Sequence, residues 1–258
     1  MLLSIDIGNT HVDLGLFRDE ELLLTRKLPT GDPADALLQA LLAPYGKRLE
    51  GAAIGSVVAD LGANYAEACR PYCAGPALEV QGSWDLGLEI DYDDPNRVGI
   101  DRLVAAAYAH AATPKGHAAI VVDAGTALTV DAIDAEGTFL GGAIAPGLRL
   151  GVDALSANTS FLPRIDLEGT VQLMGKDTVA CLRSGAIYGS AALVEGLCRR
   201  MSADLAERGS TVELDAPVSI FLTGGDSSLL HPLIEGTVVL DPAMVLRGLH
   251  LAYKRRTS

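Results

Sequence analysis

The sequence has few cysteines, few basic residues, few aromatic residues and no long apolar run. Its 258 residues include 4 Cys, 20 Lys and Arg against 33 Asp and Glu, and 5% aromatic residues. The cysteines have no metal-ligand spacing, and the four-residue separation of Cys69 and Cys73 predicts one face of a helix. No apolar run approaches the roughly 18 residues of a membrane span. Zinc-binding, disulfide-stabilised and membrane-spanning classes are therefore disfavoured.

Acidic residues dominate the charge balance. The formal net charge is −13, and such a surface repels nucleic acid backbones and anionic lipid. We therefore expect no nucleic acid and no membrane partner. The opening segment MLLSIDIGNT has no basic region, so we expect a cytoplasmic location. An anionic ligand would need a site that attracts negative charge locally, despite the negative net charge of the chain.

The common phosphate-binding and hydrolase motifs are missing. There is no G-x-G-x-x-G, no G-x-S-x-G and no H-E-x-x-H. The stretch from Gly169 to Lys176 has one residue too many for a P-loop, and Asp177 stands where Ser or Thr is needed. A phosphate site would have to be built in another way.

The first half of the chain predicts the order βββαβαβα. Three strands are expected at 2–7, 11–17 and 21–28, followed by a helix that begins at Asp32-Pro33-Ala34-Asp35. A longer helix is expected to open near Arg97. The second half repeats this opening with an apolar run, a turn at Gly125 and an alternating run.

The remainder of the second half predicts helices at about 147–160 and 176–208, a strand before Thr223, and a terminal helix near 242–254. We therefore expect an α/β protein of two lobes with duplicated βββαβα topology. Because Thr113-Pro114-Lys115-Gly116 breaks the preceding helix, the lobes are predicted to cover residues 1–114 and 115–258.

Two equivalent hairpins carry the main chemical signal. They are Asp6-Ile7-Gly8-Asn9-Thr10 and Asp123-Ala124-Gly125-Thr126-Ala127. In each hairpin an aspartate is followed by a turn that contains glycine. The backbone N–H groups of such a turn can bind phosphate, and the carboxylate can bind a cation or its water shell. Either could also be an ordinary hairpin. A pair of them favours a nucleotide site, with Thr223-Gly224-Gly225-Asp226 as a surface for base and ribose or a plain strand-to-helix turn.

The polar segment from Asp91 to Arg102 leads into an alanine-rich helix. Asp101 could accept a proton from a substrate hydroxyl, and Arg102 could grip a carboxylate with two hydrogen bonds. An acid near a helix N-terminus also simply complements the helix dipole, so the segment alone leaves both interpretations open.

Taken in order, these motifs resemble type III pantothenate kinases. The resemblance covers nearly the whole chain and also includes Gly141-Gly142-Ala143-Ile144-Ala145-Pro146-Gly147, Thr178 and Gly185-Ala186-Ile187-Tyr188-Gly189. It implies an acetate and sugar kinase/actin-like ATPase fold and transfer of the γ-phosphoryl group of ATP to pantothenate, the first step of coenzyme A biosynthesis.

The resemblance also implies roles for individual residues. Asp101 would be the proton acceptor, and Asp123 would bind K⁺ or NH₄⁺, with Mg²⁺ accompanying ATP. Contacts to ATP would come from Asp6, Ile7, Gly8, Asn9, Thr10, His11, Val12, Asp13 and Thr126. Pantothenate would be bound by Tyr92, Gly99, Ile100, Asp101, Arg102 and Thr178. Family members are homodimers, so Thr178 would act across the interface.

Three points remain open at the level of sequence. Asp13 would repel a triphosphate unless its side chain points away. The helix over 179–201 is either buried in its own lobe or packed against a partner. A kinase of this fold with another acceptor, or a nucleotide-binding regulatory protein related to transcription, remains an alternative function.

Overall fold

The computed structural model describes residues 1–31, 38–39, 41–45, 49–209 and 218–257. The chain forms two compact units, Met1–Tyr108 with Ala243–Ser258, and Ala109–Pro242. The helix start expected at Asp32-Pro33-Ala34-Asp35 lies outside the described residues.

The first unit is built on a five-stranded sheet with the order β3-β2-β1-β4-β5. Its strands are β1 (Leu2–Ile7), β2 (His11–Arg18), β3 (Glu21–Pro29), β4 (Gly51–Ser56) and β5 (Ala77–Glu79). Strand β1 is antiparallel to β2 and parallel to β4. Helix α1 (Leu61–Cys69) follows β4, the short strand β6 is Glu89–Ile90, and helix α2 (Ile100–Ala112) begins in this unit.

Strand β1 is apolar on both sides because both faces of the sheet are covered. Ile5 and Leu14 are paired across β1 and β2 and lie in the main core of the unit. Phe17, on the opposite face, packs with Leu246. A central strand that is buried twice needs a nearly continuous apolar run, which explains the sequence LLSIDI.

The second unit repeats this arrangement. Its strands lie in the order β9-β8-β7-β10-β11, with β7 antiparallel to β8 and parallel to β10. The strands are β7 (Ala119–Ala124), β8 (Ala127–Ile133), β9 (Thr138–Pro146), β10 (Ser219–Thr223) and β11 (Val238–Leu240). The duplicated topology expected from the sequence is confirmed, while β11 was not predicted.

Helices α3 (Leu148–Asn158), α4 (Thr178–Glu207) and α5 (Ser227–Leu230) belong to the second unit. A buried face of α4 joins the core of the sheet through Ile187, Ala191 and Val194. Within the part of the chain that is described, no helix is long and apolar enough to cross a membrane.

The last helix, α6 (Met244–Thr257), belongs to the first unit. Leu249 lies against Gly55, and the Tyr253 hydroxyl donates a hydrogen bond to the carbonyl oxygen of Pro76 at 3.2 Å. The predicted division into 1–114 and 115–258 differs from the observed units in this segment, because α6 covers the sheet that contains β1 and β4.

Candidate active site

The first hairpin closes tightly between β1 and β2. The Gly8 N–H donates to the His11 carbonyl at 2.9 Å, and the Thr30 hydroxyl donates to the Gly8 carbonyl at 2.7 Å. A side chain at Gly8 would place its Cβ 3.2 Å from that His11 oxygen. Close approach of the backbone, rather than a positive φ, therefore explains this glycine. Asn9 and Thr10 form the exposed tip.

Asp6 and Asp13 lie directly opposite each other on β1 and β2, and Lys27 lies opposite Asp13 on β3. Directly paired residues point to the same face of a sheet. The Lys27 ammonium is 3.3 Å from the Asp13 carboxylate. Asp13 therefore shares the face of Asp6, and its charge is offset by a lysine that the sequence analysis did not single out.

The start of α2, which carries Asp101, lies on the same face of the sheet. Gly55 pairs with Asp6 in the parallel β1–β4 ladder, and Ile100 Cγ2 lies 3.6 Å from the position of a Cβ on Gly55. Asp101 Oδ1 accepts a hydrogen bond from the N–H of Arg102 at 2.8 Å. A side chain on Gly99 would collide with this oxygen. Residues 99–102 thus lie near the carboxyl ends of β1 and β4.

Tyr92 lies in the exposed segment that precedes α2. In this segment Asp94 accepts a hydrogen bond from the Asn96 N–H at 3.2 Å and caps a short 3₁₀ helix. The cap fixes the backbone path between Tyr92 and the start of α2.

The second hairpin lies at the corresponding place in the second unit. The Gly125 N–H donates to Ala127 O at 3.0 Å, and the Gly147 N–H donates to Thr126 O at 3.1 Å. Asp123 pairs with Thr223 in the parallel ladder of β7 and β10. A side chain on Gly224 would collide with the Asp123 carboxylate and with the Ala124 backbone, and Gly224 has a φ of +92°. Three glycine-containing segments therefore meet around Asp123.

Thr178 is the first residue of α4, which the Asp177 carboxylate caps by accepting from the Ala180 N–H at 2.8 Å. Thr178 lies on the wall of a groove between α3 and α4 with a volume of about 540 Å³. The groove is mainly apolar, and its lining includes Leu155, Leu182 and Leu193. This volume is in the range of small-molecule sites.

Two buried cysteines of the first unit are held in the thiol form, whereas Cys181 in the second unit is exposed. Burial raises the pKa of Cys69 to about 12 and that of Cys73 to about 11, so neither is a thiolate near neutral pH. No group of three or more His, Cys, Asp or Glu residues that could hold a metal ion occurs among the described residues.

Comparison with known proteins assigns the family. Residues 2–200 match the family model of type III pantothenate kinase. The chain belongs to the type III pantothenate kinase family. A type III pantothenate kinase from Rubrobacter xylanophilus is 39% identical over 267 residues, which cover 100% of this chain and 99% of the relative.

Solved structures agree with the type III pantothenate kinase assignment at the level of the fold. A protein from Campylobacter jejuni, described as a conserved Baf family transcriptional activator, has a TM-score of 0.60 with 19% identity and 98% coverage of both chains. A protein from Sinorhizobium meliloti, described as a 2-dehydro-3-deoxygalactonokinase, has a TM-score of 0.52 with 11% identity and coverage of 100% and 99%. At these identities the likeness concerns the fold alone. The chain has the acetate and sugar kinase/actin-like ATPase fold.

Within each unit of this type III pantothenate kinase, the structure brings together only part of the predicted site. Asp6, Asp13 and the start of α2 lie at one end of the first sheet. Asp123 and Thr126 lie beside Gly147 and Gly224 in the second unit. Ile7 and Val12, also expected to contact ATP, are fully buried in the core of the first unit. Only their backbone atoms could serve a nucleotide.

Proposed function

We propose that the chain transfers the γ-phosphoryl group of ATP to the primary hydroxyl of pantothenate, with Asp101 as the proton acceptor. The activity itself follows from the family: the chain is a pantothenate kinase, a phosphotransferase that acts on an alcohol in coenzyme A biosynthesis. The observation that carries this conclusion is the match over the full length to relatives named for the activity. The regulatory alternative is not favoured by these relatives.

Asp101 is suited to its role by its place and its fixed orientation. In the transfer, the pantothenate hydroxyl oxygen forms a bond to the γ-phosphorus, the bond from that phosphorus to the bridging oxygen breaks, and ADP leaves. The hydroxyl proton passes to the Asp101 carboxylate. The hydrogen bond from the Arg102 N–H holds Oδ1 at the start of α2, so the carboxylate does not have to be ordered during the reaction.

ATP is bound in this proposal by the loop from Asp6 to Asp13 and by Thr126. Phosphoryl transfer needs positioning and neutralisation of charge more than covalent chemistry. The backbone N–H groups at the tip of the first hairpin and the hydroxyl of Thr10 are suitable donors. The Lys27–Asp13 ion pair reduces the repulsion that Asp13 would otherwise exert on a triphosphate.

Asp123 is proposed to bind K⁺ or NH₄⁺, and Mg²⁺ is proposed to accompany ATP. The donors near Asp123 fit a hard cation, because its carboxylate lies above Gly224 and the carbonyl oxygens of Gly125 and Thr126 face Gly147. When bound, the cation supplies positive charge that offsets the charge of phosphate oxygens. The chain's own contribution is an oxygen-lined place beside the second hairpin.

Pantothenate is proposed to contact Tyr92, residues Gly99 to Arg102 and Thr178. Its carboxylate would accept two hydrogen bonds from the Arg102 guanidinium. Thr178 would be contributed by the second subunit of a homodimer.

The apolar surface around the groove of the second unit supports a dimer. Leu155 and Leu193, which line the groove, are 45% and 41% exposed, and Phe161, the neighbour of the lining residue Leu162, is 93% exposed. Exposed apolar side chains next to an apolar groove are typical of an interface. Helix α4 is thus apolar on a buried face and again along the groove, as expected if it packs both inside its unit and against a partner.

Complementation tests the shared site. An Asp101→Asn chain and a Thr178→Ala chain, each inactive alone, should regain part of the activity when mixed, because one site of the heterodimer is then intact. A monomer in light scattering at assay concentration would contradict the dimer. A lack of recovery despite proven subunit exchange would contradict the shared site.

A coupled assay tests the overall function. Purified protein with ATP, Mg²⁺, K⁺ and pantothenate should form ADP and phosphopantothenate in equal amounts, which is measured by an ADP-coupled assay and by mass spectrometry. Folded protein that forms no phosphopantothenate would refute the proposal. We place the reaction in the cytoplasm, where ATP is available as donor.

A further inference from the structure

Arg149 and Asp226 form an ion pair that the proposed reaction has not used. Arg149 is the second residue of α3, and its Nε donates to Asp226 Oδ1 at 3.0 Å. The Asp226 side chain is 8% exposed, whereas the Arg149 side chain is 55% exposed. The acid is therefore anchored in the protein while much of the guanidinium faces solvent.

Asp226 is itself held rigidly. It follows Gly224-Gly225, and its N–H donates to Ala124 O at 2.9 Å. This bond ties the residue to the end of β7, next to Asp123. A carboxylate fixed in this way orients the guanidinium that binds to it.

The remaining donors of Arg149 are open. A guanidinium carries five N–H donors, and among the described residues Arg149 makes its one hydrogen bond through Nε. The two terminal NH₂ groups are therefore available to a ligand. An ordinary surface ion pair contributes little to stability, because two flexible side chains must be ordered to form it. In this pair the Asp226 side chain is already fixed.

The pair also lies beside the second hairpin. Gly147, two residues before Arg149, packs on the carbonyl oxygens of Gly125 and Thr126. Gly224, two residues before Asp226, packs on Asp123. The ion pair thus links the two segments that flank the hairpin. The pair itself is neutral, but it holds a half-exposed guanidinium beside the hairpin in a chain with a net charge of −13.

We propose that Arg149 binds a phosphate oxygen of the nucleotide through its terminal NH₂ groups, and that Asp226 is the residue that positions it. This inference rests on the proposed function, because it assumes that ATP is bound at the hairpin of Asp123 and Thr126. Arginine is well matched to this task, since its planar donors fit two phosphate oxygens.

Calorimetric titration with ADP tests the proposal without relying on catalysis. Arg149→Ala should weaken ADP binding about 10-fold to 100-fold, the range expected for a hydrogen bond to a charged group. Arg149→Lys should lie between this variant and the wild type. Asp226→Asn should weaken binding several-fold, because the guanidinium loses its charged anchor. The KM for ATP should rise while the KM for pantothenate stays unchanged.

Arg164→Ala is the matched control. Its Nε also donates to an aspartate, Asp153 Oδ1, at 3.0 Å, but both side chains of that pair are well exposed. This variant should keep the ADP affinity of the wild type. Circular dichroism and urea titration would show that each variant is folded.

Two results would overturn the inference. One is an Arg149→Ala protein that binds ADP within twofold of the wild type. The other is an Arg149→Ala protein whose ADP affinity depends on NaCl concentration, at fixed K⁺, as strongly as that of the wild type. Losing a phosphate contact must make ADP binding less sensitive to salt. A wild-type protein that binds no nucleotide would instead refute the proposed ATP site itself. A protein that binds ADP without phosphorylating pantothenate would refute the proposed activity, and the ADP titration would still decide whether Arg149 contacts the nucleotide.

Discussion

Gly224→Ala should destabilise the protein through two separate effects. Gly224 has a φ of +92°, a region that costs a residue with a side chain about 1–2 kcal/mol. The new methyl group would also collide with the Asp123 carboxylate and the Ala124 backbone, and such overpacking costs about 1–3 kcal/mol more. We expect a loss of about 2–5 kcal/mol in the free energy of unfolding. Displacement of Asp123 should also weaken activation by potassium.

Gly236→Ala separates the two effects. Gly236 has a φ of +97°, yet a Cβ there would meet nothing within 4 Å. This control should lose only the backbone part, about 1–2 kcal/mol. Urea titrations of both variants and of the wild type give the comparison. Equal losses for the two variants, or a fully potassium-activated Gly224→Ala enzyme, would refute the close packing of Gly224 on Asp123.

Three further predictions concern catalysis, cation dependence and pH. Asp101→Asn keeps the acceptor oxygen for the Arg102 N–H, so it should fold normally while kcat falls about 10²-fold to 10⁴-fold. The exposed Asp93→Asn variant is the control. A kcat of Asp101→Asn within threefold of the wild type would exclude Asp101 as the proton acceptor. Activity should be low without K⁺ or NH₄⁺, and equal rates in sodium and potassium, or an Asp123→Ala variant that remains potassium-activated, would contradict the cation role. Burial lowers the pKa of His250 below its usual value near 6.5. As the pH falls below about 6.5, His250 therefore binds a proton in the unfolded chain before it does so in the folded protein, and the free energy of unfolding declines towards the folded pKa. Urea titrations between pH 7.5 and 5 should show a weaker decline for His250→Leu than for the wild type.

The regular elements were largely predictable because each is bounded by local signals. The first three strands were expected at 2–7, 11–17 and 21–28 and are observed at Leu2–Ile7, His11–Arg18 and Glu21–Pro29. Turn residues follow each apolar run, so the ends of the strands are marked in the sequence. The short strand β11 has only three residues and gives no comparable periodic pattern.

Other features depend on contacts that the sequence does not specify. The prediction of Cys69 and Cys73 on one helical face was wrong, because α1 ends at Cys69, a 3₁₀ helix follows at Arg70–Tyr72, and the backbone at Cys73 is extended. An irregularity between Leu16 and Phe17 shifts the register by one residue, and this shift decides that Lys27 pairs with Asp13. Such a shift moves side chains to the opposite face of a strand.

The candidate site likewise contains parts that local sequence patterns predict and parts that depend on distant contacts. The two glycine hairpins could be found from their repeated motif, and Asp101 from its place in the first turn of a helix. The Arg149–Asp226 pair joins residues 77 positions apart. The two residues meet because α3 packs near β8 and the turn after β10 is hydrogen-bonded to the end of β7, and no local pattern encodes these contacts.

The position of α6 has a consequence for the order in which the protein can fold during synthesis. The ribosome releases the chain from its N-terminus, and domains generally fold as they emerge. The sheet of the first unit emerges early, but the helix that covers β1 and β4 is made only after all of Ala109–Pro242. The part of the sheet that α6 covers, including Phe17, therefore stays exposed while the second unit is synthesised. During that interval the nascent chain exposes a surface suited to chaperone binding.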